Sequence, residues 1–204
     1  MSNIANIRIL EKEANKRGDL FARVMKDLFL ALGYDNPRLD IHKSGREIDI
    51  ESAHRTESKR MIAECKATKD KIGGDDINKF VGVKDAEIRK YPDMPVEGYF
   101  ISLSGFTESA IEQEKEAGDK WVILLDGNRV IDELIRGNII VPPIKAMEQA
   151  VHCAAKHGGN LRADGSFELL ANDMGWIWVV YFMKNKQKTH FALVHADGET
   201  IALG

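Results

Sequence analysis

Apolar residues recur three and four positions apart from Phe21 through Val24, Met25 and Leu28 to Leu32, and Gly33 follows them. That spacing draws one stripe along a helix, and the glycine is a natural stop. Short extended runs come next: residues 38–42 after Pro37, 47–51 after a Ser44-Gly45 turn, and 60–66 alternating around Met61, Ile62 and Ala63. They predict three strands. Residues 75–89 read as a helix with Ile77, Phe80, Val81 and Ile88 on its inner side. The run GYFISL at 98–103 is nearly all apolar, as in a strand covered on both faces. Thr107 suits an N-cap, with Glu108 in the first turn, of a helix reaching Ala117 and stopping at Gly118. WVILL at 121–125 is a second buried strand ended by an Asp126-Gly127 turn, and a short helix over 130–136 follows. A three-strand meander and then crossover units predict an α/β fold: a mixed sheet flanked by helices.

Pro142-Pro143 breaks the chain and divides it into a first domain, residues 1–141, and a small α+β C-terminal domain, residues 144–204. In the second, Met147, Ala150, Val151 and Ala154 mark an amphipathic helix ending at Gly158-Gly159. The remainder reads as an antiparallel meander, with WIWVVYFM at 176–183 as its central strand. Residues 184–188 form a polar loop, 189–195 return, and an Asp197-Gly198 turn leads into 199–203. The central strand is apolar on both faces, which points to a sandwiched position or an oligomer contact.

Composition changes this picture little. The formal net charge is −3, with no general basic excess of the kind nucleic-acid binders often carry. The distribution says more. Basic residues slightly outnumber acidic ones over 38–90, whereas acids dominate about two to one over 96–149, as expected of a basic working face and an acidic far side. Two cysteines, Cys65 and Cys153, form neither a disulfide framework nor a CxxC motif, so a reducing cytoplasm is expected. The opening residues lack the apolar core of a signal peptide, and no run is long enough to span a membrane.

The chemistry concentrates in Asp49 and the segment AECKA at 63–67. Side chains alternate along a strand, so Glu64 and Lys66 point one way and Cys65 the other. If the two strands pair as a hairpin, Asp49 sits beside Glu64. Two carboxylates and the main-chain carbonyl of Cys65 make a hard oxygen site for Mg²⁺, with Mn²⁺ able to substitute. A cation there polarises a phosphodiester and lowers the pKa of its water. Lys66 beside it can orient that water or stabilise charge on the phosphate. Three such residues taken alone describe any charged strand pair; their position after a helix and before two crossover strands is what singles them out.

With those residues in place, the chain resembles the Mrr-like branch of the PD-(D/E)xK, restriction-endonuclease-like superfamily. The features that carry the resemblance are GREIDI (45–50), AECK (63–66), DDINKFVG (75–82), GYFISLSGFTESA (98–110) and VILLDG (122–127). They lie within residues 15–140. The resemblance implies a metal-dependent DNA endonuclease in restriction or antiphage defence, often oligomeric or joined to a regulatory module. It assigns metal binding to Asp49 and Glu64 and assistance of hydrolysis to Lys66. One departure stands out: where Mrr-like enzymes carry a glutamate on the first helix, this chain has Ala22, with Asp19 nearby as a substitute.

Further candidates are Asn78 and Lys79 on the helix after the motif, and Lys43, Arg46, Lys69 and Lys71 in flanking loops as DNA contacts. Ser102, Ser104 and Thr107 border a helix start and read as its caps. Cys65 reads as a core residue, and the histidines show no zinc spacing. Self-association through the C-terminal meander is expected. The rival reading is a catalytically weak nuclease fold that binds nucleic acid or a protein partner, which Ala22 and the mild acidity would suit.

Overall fold

The computed structural model describes residues 6–43, 46–118, 121–156, 161–184 and 187–204. The Ser44-Gly45 turn, the Gly158-Gly159 helix end and the side chains of Lys43 and Arg46 lie outside the described residues. A strand, β1 (Asn6–Ile9), leads into helix α1 (Ala14–Ala31). Then come β2 (Tyr34–Lys43), β3 (Arg46–His54) and β4 (Arg60–Lys66), helix α2 (Gly74–Lys90), β5 (Val96–Ser102), α3 (Glu108–Ala117), β6 (Ile123–Asp126) and α4 (Gly127–Arg136). The last third is α5 (Pro143–Lys156) followed by β7 (Arg162–Asn172), β8 (Gly175–Lys184), β9 (Gln187–His195) and β10 (Thr200–Leu203).

One sheet has the order β2-β3-β4-β5-β6. Its first two pairings are antiparallel and its last two parallel, so it is the expected mixed sheet. α1 covers one face through Leu20, Phe21, Val24, Met25, Leu28 and Phe29. The other face packs Ile62, Phe100 and Leu124 against Ile77 and Phe80 of α2. Pro37 sits inside β2, an edge strand, where its missing N–H costs no ladder bond. Gly33 ends α1 at φ +91°, and a Cβ there would lie 2.6 Å from His54 Nε2.

Two boundaries differ from the sequence reading. Asp126, the last residue of β6, leads straight into a helix with no turn between them. Its carboxylate accepts from the N–H groups of Asn128 and Arg129 at 3.1 and 2.9 Å, so it caps a helix that starts three residues early. In α5 the buried stripe is Ala146, Ala150 and Ala154, while Val151 faces solvent. Those alanines let the helix lie close on the second sheet.

That second sheet has the order β1-β7-β8-β9-β10. β7 to β10 form the antiparallel meander, but β1 joins it in parallel, with Asn6 opposite Glu168 and Ile9 opposite Ala171. The sequence reading placed no strand before the first helix. Trp176, Trp178, Val180 and Phe182 point inward from β8 into the same apolar cluster as α1, so the two sheets share a core. Trp176 and Trp178 are therefore core residues, 2% and 0% exposed. No helix of the described residues is long and apolar enough to cross a membrane.

At the end of the first sheet away from the site, the Tyr34 and Tyr99 hydroxyls both donate to Glu97, the latter at 2.9 Å, and Lys59 lies 3.2 Å from its other oxygen. Burial works against the Glu97 charge, but these three donors outweigh it and hold the carboxyl below its ordinary value. A depressed folded pKa contributes stability above the unfolded value, lost as pH falls through the folded one. Glu97→Gln is expected to cost about 1–2 kcal/mol at pH 7. It should also flatten the fall in Tm below about pH 4.5. Thermal melts of both proteins from pH 7 to 3 check this, and parallel pH curves would contradict it.

Candidate active site

The pairing of β3 with β4 runs only to Ile50↔Ala63. Past that point Asp49 turns its carboxylate into the gap and accepts the Cys65 N–H at 2.7 Å, replacing a ladder bond. Asp40 of β2 lies between the pairs Leu39↔Ile50 and Ile41↔Ile48, hence across from Asp49, and adopts φ +53°. Here strand parity breaks: Ile50 belongs to the α1-side core, whereas Ile48 belongs to the α2-side core. The local twist frees Asp49 from both cores and places it beside Glu64.

β4 is held straight by β5, with Glu64 opposite Phe100 and Lys66 opposite Ser102. Glu64 and Lys66 share a face and form an ion pair. Asp49 is pushed up to about 6, first by burial and then by the Glu64 charge, with the Cys65 N–H and Lys66 opposing. Burial opposes the Lys66 charge, but the hydrogen bond and charge of Glu64, with Asp49 and Asp76 behind, raise its pKa and keep it an ammonium. Cys65 points the other way and is buried; burial first, then Asp49 and Glu64, raise its pKa well above the ordinary value, so it is an inert thiol.

These groups line a cleft of about 440 Å³ whose opposite wall is α1. Ala14, Gly18 and Ala22, four apart, form that wall, with Arg17 and Asp19 beside them. Ala22 therefore stands at the cleft itself, and Asp19 brings the only carboxylate from the described part of α1 to it. Asp40 and Glu47 add two more acids. Neither they nor Arg17 had been picked from the sequence. The hairpin register, which puts Asp40 across from Asp49, was the signal available for one of them. Among the described residues, no three His, Cys, Asp or Glu side chains already converge as a metal cage.

Lys79 lines a second, smaller cavity that adjoins this cleft, whereas Asn78 faces a separate groove with Gln113 and Trp121 between α2 and α3. Lys69 and Lys71 are exposed in the loop after β4. That loop is fixed by Ser104, which donates to the Asp70 carbonyl at 2.5 Å, and by Ile72 bridging to Phe106. Thr107 caps α3 by accepting from the Ala110 N–H at 3.3 Å.

A mixed sheet that offers two carboxylates and a lysine from adjoining strands, under a helix wall, is the arrangement of a restriction-endonuclease-like nuclease. The chain belongs to the Mrr catalytic-domain family, described as restriction endonuclease, whose model matches residues 14–134, more than half of its length. Among solved structures it is similar to a repair endonuclease from Pyrococcus abyssi, at 14% identity and a TM-score of 0.41 over 57% of this chain and 46% of that one. It is also similar to a protein in an EndoMS-dsDNA2 complex, at 13% and 0.36 over 46% of this chain and 36% of that one. A third similarity, at 14% and 0.41, is to a protein of unknown function, over 66% of this chain and 78% of that one. The chain thus spans less than half of the first two. No curated protein matches.

Proposed function

We propose that this protein hydrolyses DNA phosphodiester bonds with a divalent cation, Mg²⁺ or Mn²⁺, held by Asp49, Glu64 and the Cys65 carbonyl. The observation that carries this reading is that Asp49 and Glu64 line one cleft, where burial first and the Glu64 charge second lift Asp49 to about 6. Two half-buried acids held side by side repel each other, and a dication removes that repulsion. The donor set is all hard oxygen and leaves room for water, which suits these ions. When bound, the cation polarises the phosphodiester and acidifies its water.

The chain's own residues define the rest. Lys66 is held charged by Glu64, so it does not take the water's proton; it donates to the attacking water or to a phosphate oxygen as negative charge grows. The Cys65 N–H fixes the Asp49 carboxylate in one orientation. The water oxygen bonds to phosphorus as its proton passes to solvent, the P–O bond to the leaving sugar oxygen breaks, and that oxygen takes up a proton from solvent. Lys69 and Lys71, exposed beside the cleft, suit backbone phosphates. Work in restriction or antiphage defence, in the cytoplasm, as a homo-oligomer or with a regulatory module, belongs to the same reading. The family match and the two free cysteines support it.

Nicking of supercoiled plasmid with Mg²⁺ or Mn²⁺ tests it. Cleavage is expected to stop with EDTA and to fall at least a thousandfold in Glu64→Ala and Lys66→Ala. Ala22 at the cleft wall favours a second reading, a weak nuclease that holds nucleic acid or a protein partner. Salt-dependent DNA binding without metal-dependent nicking would select it.

A further inference from the structure

The cleft has a neighbour. A second cavity of about 210 Å³ shares Glu47, Glu64 and Lys66 with it, so those three side chains form a ridge between the two. Their walls differ in character. Carboxylates line the cleft. The cavity beyond the ridge is floored by Phe80, Val83 and Phe100, and Asp76 and Lys79 complete its lining. Phe80 and Phe100 meet edge to face at 5.6 Å, which makes the floor rigid. Asp76 and Lys79 are exposed on the first turns of α2 and lie 3.6 Å apart.

A phosphate would lose its hydration on that apolar floor, and a purely apolar ligand would meet an acceptor and a donor in the same cavity. A flat heterocycle with polar edges suits both. A cavity of about 210 Å³ has room for one nucleobase. Any strand that presents a phosphodiester at Glu64 also places its neighbouring base within one step of the ridge. We infer that this cavity receives a single nucleobase turned out of the stack beside the cleaved bond, with Val83 and the two phenylalanines beneath it and Asp76 and Lys79 bonding its edge. The inference rests on the nuclease reading and extends it: the protein selects DNA at places where a base leaves the helix cheaply.

The test compares two duplexes, one with a single unpaired thymidine and one with an abasic site at the same place, titrated without metal against wild type, Val83→Trp and Lys79→Gln. Wild type is expected to bind the thymidine duplex on the order of tenfold more tightly. Val83→Trp fills the cavity, and the ratio should fall to one with the abasic affinity and its salt slope unchanged. Lys79→Gln, an exposed change that leaves the core alone, should lower the ratio severalfold. A ratio of one in wild type, or a ratio untouched in both variants, overturns the base cavity; metal-dependent nicking that persists alongside leaves the nuclease standing. Absence of both nicking and salt-dependent binding of either duplex overturns the two together.

Discussion

Asp49→Asn is expected to abolish cleavage and, in metal-free protein, to raise Tm. The carboxylate sits at about 6 against an ordinary 3.8 because burial and then Glu64 disfavour its charge. A folded pKa raised above the unfolded one binds a proton more tightly in the folded state. Stability from that proton is full below about pH 4 and lost as pH rises through 6. At pH 7 wild type therefore carries a penalty. Two units at about 1.4 kcal/mol each, discounted for partial exposure, leave roughly 1–2 kcal/mol. Asparagine removes it and still accepts the Cys65 N–H. A Tm gain of about 2–8 °C at pH 7 in EDTA, shrinking towards zero at pH 4, is the expected pattern. Added Mg²⁺ should raise the Tm of wild type and not that of the variant. A variant that melts lower than wild type in EDTA would mean that the two acids do not strain the fold.

The largest loss of stability is expected at Trp178. It is 0% exposed, meets Phe167 edge to face at 5.8 Å, and donates its indole N–H to the Val141 carbonyl at 3.0 Å. Trp178→Ala opens a cavity costing about 3–5 kcal/mol and strands that carbonyl for about 1 kcal/mol more. Against a total of about 5–15 kcal/mol, this leaves little margin. Urea unfolding should show one transition, shifted to much lower denaturant, because the core around Trp178 continues into α1 and the first sheet. A loss under 1 kcal/mol, or a separate early transition, would show that the second sheet melts on its own. Trp178→Phe keeps most of the packing and should lose the smaller, hydrogen-bond part.

The first sheet was readable because its elements announce themselves locally. The α1 stripe, the near-continuous apolar runs at β5 and β6 and the alternation of β4 each fit within a dozen residues. Glu64 and Lys66 stood out because the two-residue strand period puts them on one face, and Asp49 because a hairpin would set it beside them; the break in alternation between Ile48 and Ile50 was not legible. β1 was hidden: four residues with Ile7 and Ile9 as the sole apolar pair, and a partner strand 160 residues away. β7 was blurred by Asp164, Gly165 and Ser166, where its register with β8 shifts between Ala163 and Phe167. Asp40, Glu47 and Arg17 come from three segments, and only the register of β2 with β3 points to one of them, Asp40. The cavity beyond the ridge likewise exists only once α2 lies against β4 and β5.

The parallel pairing of β1 with β7 also fixes an order of events on the ribosome. β1 emerges first and its partner about 160 residues later, an interval of roughly 8–30 s at ordinary rates of synthesis. Until then α1, the helix that walls the cleft, has no anchored strand before it, and Ile7 and Ile9 have no sheet to join. The finished cleft is thereby tied to completion of the far sheet: β1 is made ahead of the first sheet and seated after it.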